Sequence, residues 1–220
     1  MHNTNKEKNN EIVHAVFAWD GIEKEDKELL VKYNINTILL DINHTDNIEY
    51  YSDYNILLLA GDVNYGVDEM NETINKAKQL NINGVILDIE NDYSQLADNL
   101  EKINSSIPLY VCIPYWLDTI DNGEEILTRI VKACDGIYVA NYLKENERSQ
   151  IEKEIELCSN YNKQIVTIYE LQQPGTYDLN EYNTYYNDGI EAVNKNYEEM
   201  FGDTTVGIAY HNLKMIKELQ

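Results

Sequence analysis

Two acidic residues, Asp88 and Glu90, close the segment 83–90, which runs Asn-Gly-Val-Ile-Leu-Asp-Ile-Glu. The branched apolar residues before them are typical of a buried strand. Residues two apart on a strand point to the same side and lie about 7 Å apart, so both carboxyl groups should face one site. Such a pair suits general acid catalysis, and a neighbouring negative charge raises the pKa of a carboxyl. We therefore expect Glu90 to be a general acid whose pKa is raised by Asp88.

Polar and aromatic residues also follow the other apolar segments of the chain. Glu170 is a candidate nucleophile or second carboxylate, and the remaining candidates would bind substrate. These candidates are Trp19, Asp20, Asp41, Tyr115, Trp116, Asn141, Tyr142 and His211. Asp20, Asp41 and Asp62 have an alternative role as N-caps of the helices that follow them. Packing at the rim of the fold is the alternative for Trp19 and Trp116, and a rim hydrogen bond is the alternative for His211.

Eight short apolar segments alternate with longer amphipathic ones. The predicted strands are 12–18, 37–42, 56–60, 84–89, 109–113, 136–140, 165–169 and 206–210. The predicted helices are 24–33, 67–79, 93–103, 123–132, 146–161, 182–200 and 213–219, with 43–55 the weakest helical segment. Continuous apolar strands that alternate with helices indicate an α/β protein with a parallel sheet. We predict a (β/α)8 TIM barrel in one compact domain over 12–220, with an open doubly wound sheet as the alternative and 1–11 as a disordered leader.

The composition limits the partners of the chain. A net charge of −22 over 220 residues, with a pI near 4.4, disfavours nucleic acid and anionic membranes and leaves neutral or cationic ligands. No stretch is apolar enough for membrane insertion. Eighteen tyrosines and two tryptophans suit a carbohydrate surface, although compositional bias explains many tyrosines equally well. We expect no cofactor and no metal, and we expect a monomer.

Segment 83–90 resembles the fourth-strand signature of the family 18 glycoside hydrolases, the chitinase-like barrels, which runs Asp-Gly-apolar-Asp-apolar-Asp-x-Glu. The chain keeps Gly84, Asp88 and Glu90 of this signature, whereas Asn83 and Ile86 replace its first two acids. The resemblance implies that Glu90 protonates the glycosidic oxygen. It also implies that Asp88 orients the N-acetyl group of the substrate, which acts as the internal nucleophile.

Other strand ends carry further resemblances. Tyr142 matches the tyrosine of the family's Met-x-Tyr at strand six, and His211 stands where strand eight often has a tryptophan. Glu90 and Glu170 also occupy the strand ends that hold the acid/base and the nucleophile in the large clan of retaining barrel glycosidases. The chain is also similar to minimal, uncharacterised bacterial glycosidase-like barrels, in which Tyr-Glu after strand seven and Ala-x-His after strand eight recur.

We interpret the chain as a glycosidase that cleaves a polysaccharide outside the cell or at the cell envelope, with amino-sugar polymers among the candidate substrates. In this hypothesis the aromatic candidates stack on sugar rings, and Tyr142 and His211 hydrogen-bond the sugar at the cleavage point. Two alternatives remain open. One is a barrel that binds glycan without cleaving it. The other is a metal-dependent hydrolase, whose cation would be held by some of Asp20, Asp41, Asp62, Asp88 and His211.

Overall fold

Eight parallel strands close into a barrel in the computed structural model, which describes residues 12–61, 65–90, 92–144 and 147–219. Each strand pairs with its neighbours in sequence, and β1 pairs with β8. The strands are β1 (His14–Ala18), β2 (Thr37–Asp41), β3 (Asn55–Ala60), β4 (Gly84–Asp88), β5 (Leu109–Pro114), β6 (Gly136–Ala140), β7 (Gln164–Glu170) and β8 (Gly207–His211). The predicted (β/α)8 barrel is confirmed.

Helices cover the outside of the barrel. They are α1 (Lys27–Lys32), α2 (Val67–Gln79), α3 (Tyr93–Leu100), α4 (Gly123–Ala133), α5 (Glu147–Gln150), α6 (Glu152–Tyr161), α7 (Ile190–Phe201) and α8 (Leu213–Glu218). Short 3-10 helices span Lys24–Asp26, Ile48–Tyr51 and Leu117–Thr119. The weak segment between β2 and β3 thus contains only a 3-10 turn.

The prediction of a helix from residue 182 was wrong. α7 begins at Ile190, after Gly189 with a φ of 79°. A positive φ is incompatible with helix, so residues 171–189 form one long loop after β7. This loop reaches over the carboxyl end of the barrel, where it contributes to the cavity described below.

Asparagines end several helices. Asn34, Asn81 and Asn162 follow α1, α2 and α6 with φ values of 54°, 56° and 53°. Asparagine tolerates the left-handed conformation better than other residues with a side chain, and this conformation exposes the last helical carbonyls to new partners. Each asparagine turns the chain back towards the next strand.

Two apolar layers hold the fold together. Alternate strand residues fill the barrel interior, and the other strand residues pack against the helices. The interior cluster comprises Val13, Ala15, Phe17, Leu39, Leu57, Leu59, Ile86, Cys112, Tyr138, Val166, Ile168 and Ala209. Asp88 and Glu170 lie two residues beyond Ile86 and Ile168, so this alternation directs both carboxyl groups to the interior at the carboxyl end of the barrel.

Tyr138 brings a polar group into this apolar interior. Its side chain is fully buried, and its hydroxyl has no hydrogen-bond partner within the part of the chain that the structure describes. We expect Tyr138→Phe to raise the free energy of unfolding by about 1 kcal/mol, because it removes an unsatisfied buried hydroxyl and keeps the ring. Urea unfolding measures this change.

Tyr169→Phe is the matched control for that experiment. Tyr169 is equally buried, but its hydroxyl donates to Asn196 Oδ1 at 2.9 Å, so its loss should destabilise the protein by about 1 kcal/mol. A Tyr138→Phe protein that is less stable than the wild type would contradict the prediction.

Two predictions fall outside the described residues, namely the disordered leader over 1–11 and the capping role of Asp62. In the part of the chain that is described, no helix has the length and apolar character needed to cross a bilayer.

Candidate active site

A cavity of about 770 Å³ lies at the carboxyl ends of the strands. It brings together nine of the eleven candidate residues, which are Trp19, Asp20, Asp88, Glu90, Tyr115, Trp116, Tyr142, Glu170 and His211. These residues come from β1, β4, β5, β6, β7 and β8 or from the residues directly after them. The catalytic face of a TIM barrel is built in this way, from the ends of several strands.

Asp88 and Glu90 share the β4 wall of the cavity at different depths. Asp88 is partly buried next to Cys112 of β5, its partner in strand register, whereas Glu90 is exposed. Burial, followed by repulsion from Glu90, raises the pKa of Asp88 to about 6, although His211 and a hydrogen bond with Cys112 oppose the rise. Asp88 therefore holds a proton in mildly acidic solution.

Cys112 is buried against this carboxyl. Burial, followed by the nearby charges of Asp88 and Glu90, raises the pKa of the Cys112 thiol well above its usual range. The thiol therefore stays protonated and serves Asp88 as a weak hydrogen-bond donor.

The raised pKa of Asp88 gives a stability prediction. The Asp88 carboxyl loses its proton at about pH 6 in the folded protein but near its ordinary pKa of 3.8 in the unfolded chain. Ionisation of Asp88 therefore favours the unfolded chain, and the free energy of unfolding falls as the pH rises from about 4 through 6. Asp88→Asn removes that charge. We expect it to raise the melting temperature at pH 8 by at least about 2–4 °C, the change expected for 1 kcal/mol, and by less at pH 5.

Melting curves of both proteins at pH 5 and pH 8 test this difference. Asp53→Asn is the control, since Asp53 is exposed and forms an ion pair with Lys27. An equal effect of Asp88→Asn at the two pH values would show that the folded-state pKa of Asp88 is not raised.

Glu170 is tightly held at the end of β7. Its Oε1 accepts hydrogen bonds from the backbone N–H groups of Leu171 and Gln172 at 2.9 and 2.7 Å, and its Oε2 lies 2.7 Å from His211 Nδ1. Only 3% of the residue is exposed. A nucleophile needs an accessible carboxylate, so these contacts argue against the predicted nucleophilic role of Glu170 and favour a role in positioning His211.

His211 in turn contacts the aromatic side of the cavity. Trp19 Nε1 donates to His211 Nε2 at 2.8 Å, and the ring of Tyr142 stacks beside the imidazole at 6.4 Å between centroids. Burial, followed by the charges of Glu170 and Asp88, raises the pKa of Tyr142 well above its usual range. Its hydroxyl therefore remains a hydrogen-bond donor. The structure places Tyr142 and His211 together, as their predicted substrate-binding roles require.

Exposed aromatic rings stand at the rim. Trp116 is 41% exposed with its ring edge against Tyr93, and Tyr177 in the loop after β7 is 85% exposed. Tyr115 is partly buried on the same wall as Trp116. Exposed rings beside the cavity offer flat apolar surfaces for a ligand.

Asp41 and Asn141 are not among the residues that line the cavity, unlike the other nine candidates. Asp41 accepts a hydrogen bond from the backbone N–H of Asn43 at 2.7 Å and lies 3.2 Å from His44 Nδ1. Asn141 is buried, and its amide donates to the carbonyl of Glu147 at 2.8 Å. Asn141 directly follows β6 and lies between Ala140 and Tyr142, which both pack against the interior cluster, so continued alternation directs Asn141 outwards.

Several cavity residues were not predicted from the sequence. They include Tyr93, Cys112, Gln172, Tyr177 and Lys214. Strand alternation could have identified Cys112 as a residue that faces the interior. The same spacing could have identified Gln172, which follows Glu170 by two residues. No comparable signal marks Tyr177, because the loop that carries it has no periodic pattern. Within the described ranges, no group of three His, Cys, Asp or Glu side chains is arranged to hold a metal ion.

Comparisons with known proteins identify the fold. No protein-family model and no curated protein sequence matches the chain. An endo-beta-N-acetylglucosaminidase from Cordyceps militaris is similar over 94% of this chain and 89% of its own, with a TM-score of 0.56 and 8% identity. A 2,3-dimethylmalate lyase is similar over 95% of this chain and 78% of its own, with a TM-score of 0.59 and 9% identity.

The citrate synthase SbnG is also similar, over 96% of this chain and 90% of its own, with a TM-score of 0.56 and 11% identity. These barrels therefore include a glycoside hydrolase, a lyase and a synthase. At such low sequence identity, structural similarity shows only that the fold is shared, so function must be argued from the site itself.

Proposed function

We propose that the protein hydrolyses a glycosidic bond in a carbohydrate polymer, with Asp88 and Glu90 as the acid pair. The observation that carries the proposal is the placement of these two carboxyl groups in one cavity, with the pKa of Asp88 raised to about 6. Hydrolysis of a glycosidic bond needs a carboxyl that holds a proton close to neutral pH.

The two carboxyl groups have different positions and therefore different roles. Asp88 binds the proton of the pair in the free protein, because it is the more buried of the two. Glu90 is exposed in the cavity and is the member that the glycosidic oxygen reaches. Both residues line the β4 side of the same cavity, so the proton held by Asp88 passes to the bound substrate through Glu90.

The reaction then follows from charge. The proton passes to the glycosidic oxygen, the bond from that oxygen to the anomeric carbon breaks, and positive charge develops on the sugar ring. The two carboxylates stabilise this charge. A water molecule adds to the anomeric carbon and returns one proton to the pair, which restores the starting state.

The rest of the cavity supports a polymeric substrate. Trp19, Tyr115, Trp116 and Tyr142 place four aromatic rings along the cavity, and such rings stack on the apolar faces of sugars. Asp20 lies at the mouth, where its exposed carboxylate can accept hydrogen bonds from sugar hydroxyl groups.

A reducing-end release assay tests the proposal. The protein is incubated at pH 5, where Asp88 is protonated, with chitin and peptidoglycan fragments, glucosamine-rich exopolysaccharides, galactosaminoglycans and β-glucans. We expect release from at least one polymer, unchanged by EDTA. Binding without release would favour the glycan-binding barrel, and loss of release in EDTA would favour the metal-dependent hydrolase. Neither binding nor release from the whole panel would contradict the proposal.

We also propose that the protein acts outside the cell or at its envelope, as a monomer, since polymeric glycans are found there. Cell fractionation with an antibody against the protein tests the location, and sedimentation tests the oligomeric state.

A further inference from the structure

The hydrogen bond between Trp19 and His211 determines where the imidazole carries its proton. An indole N–H can only donate, so His211 Nε2, at 2.8 Å from Trp19 Nε1, must be the acceptor. The proton of the neutral ring is therefore on Nδ1, from where it is donated to Glu170 Oε2 at 2.7 Å. The side-chain amide of Gln172 lies farther away, at 3.3 Å from the same nitrogen.

Glu170 is fixed in the orientation that this tautomer needs. The two backbone N–H groups that bind Oε1 turn Oε2 towards the imidazole. Each of the three hydrogen bonds that the described residues make with this carboxylate comes from a donor, so Glu170 acts as the acceptor. Hydrogen bonds thus run in one direction, from Trp19 to His211 and from His211 to Glu170.

Two residues hold the Trp19 indole, because His211 binds its N–H edge and Phe17 packs against one of its faces. Phe17, buried in the barrel, stacks on it at 5.9 Å between centroids and 25° between planes, and His211 meets it at 90°. Phe17 lies two residues before Trp19 on the chain and therefore deeper in the barrel. Because Phe17 covers the inner face of the indole, the opposite face of Trp19 is directed to the cavity, which both residues line.

We propose that Glu170 and His211 are positioning residues that hold Trp19 as the platform for a sugar ring in the cavity. The identity of the ligand as a sugar rests on the proposed function. The chain of hydrogen bonds from Trp19 through His211 to Glu170, called the relay below, does not depend on it. In a glycosidase this relay presents a fixed aromatic face from β1 while Asp88 and Glu90 act from β4. An ordered platform binds its ligand with a smaller entropic cost.

Glu170→Gln is the sharpest test, because it keeps the shape of the side chain. The two backbone N–H groups retain the introduced amide oxygen, so the amide NH₂ faces His211 Nδ1. His211 Nδ1 must then accept a hydrogen bond from this amide, so the ring proton moves to Nε2. Nε2 and the Trp19 indole nitrogen are then both donors and cannot form a hydrogen bond with each other. We expect the Trp19 hydrogen bond to be lost.

Nuclear magnetic resonance measures this without any ligand. The chain has only two tryptophans, and Trp116→Phe assigns their two indole N–H signals. In Glu170→Gln we expect the imidazole nitrogen shifts to show a proton on Nε2. We also expect the Trp19 indole hydrogen to exchange with solvent roughly tenfold faster, while the Trp116 signal stays in place and shows that the fold is intact.

Glu181→Gln is the control, since Glu181 is exposed on the same loop after β7 and the substitution makes the same change in charge. It should leave both indole signals unchanged. An unchanged Trp19 signal and an unchanged His211 tautomer in Glu170→Gln would overturn the proposal, whether or not the protein cleaves any glycan.

Kinetics on a polymer that the wild type cleaves provide the second measurement. A loosened platform should raise KM by roughly tenfold with a smaller change in kcat, because it weakens binding of substrate and transition state alike. A collapse of kcat at unchanged KM would make Glu170 a reacting group and would overturn its role as a positioning residue. Absence of cleavage by the wild type contradicts only the proposed function, since the resonance experiment stands without it.

Discussion

Glu90→Gln should reduce the rate of glycosidic cleavage by about 10²–10⁴-fold, the usual contribution of a general acid. Glutamine keeps the size and most hydrogen bonds of the side chain, but it has no proton to give to the leaving oxygen. Because Glu90 is exposed, the substitution should leave the melting temperature nearly unchanged. The assay is reducing-end release by the purified variant beside the wild type, with KM measured in both.

Glu72→Gln is the matched control, because Glu72 is exposed on α2, away from the cavity. It should retain the rate of the wild type. We expect Glu90→Gln to bind the polymer with a KM close to that of the wild type, since binding uses the aromatic rings. Full activity of Glu90→Gln would assign the proton transfer to another group and would reject the acid pair proposed here.

Gly61→Ala should damage both the site and the fold. Gly61 directly follows β3, and a Cβ built there would lie 1.9 Å from the carbonyl oxygen of Asp88 and 2.6 Å from its carbonyl carbon. Backbone atoms cannot yield as a flexible side chain can, so β4 must move. We expect a loss of about 1–3 kcal/mol in the free energy of unfolding, as overpacking typically costs, together with displacement of the acid pair.

Urea unfolding measures the first effect, and release of reducing ends at a temperature where the variant is folded measures the second. Gly66→Ala is the control, since its Cβ would meet only the flexible end of Glu69 at 3.1 Å. Gly66→Ala should lower the free energy of unfolding by no more than about 1 kcal/mol. A Gly61→Ala protein with the stability and activity of the wild type would show that the two strands are not packed this closely.

The strand-four motif itself was understood only in part from the sequence. Gly84, Asp88 and Glu90 match the family 18 signature, and the structure places both acids in the cavity. Ile86, which stands at an acidic position of that signature, is fully buried in the apolar barrel interior. Asn83 accepts a hydrogen bond from the backbone N–H of Ile56 at the start of the strands. The two departures therefore lie outside the cavity, in structural positions.

The barrel and the strand ends could be predicted from the sequence, because they follow from local patterns. Buried parallel strands require continuous apolar segments, amphipathic helices require their own period, and asparagine accepts the left-handed turn after a helix. The alternation of strand residues also predicted that Asp88 and Glu90 share a side. Such features depend on residues close together in the chain.

Contacts between distant parts of the chain determine which strand-end residues act together. Burial and neighbouring charge raise the pKa of Asp88, and the turn after β7 brings two backbone N–H groups to Glu170. The Trp19–His211 hydrogen bond joins residues 192 positions apart. Desolvation and hydrogen-bond direction depend on groups that are distant in sequence, so no local pattern can encode them.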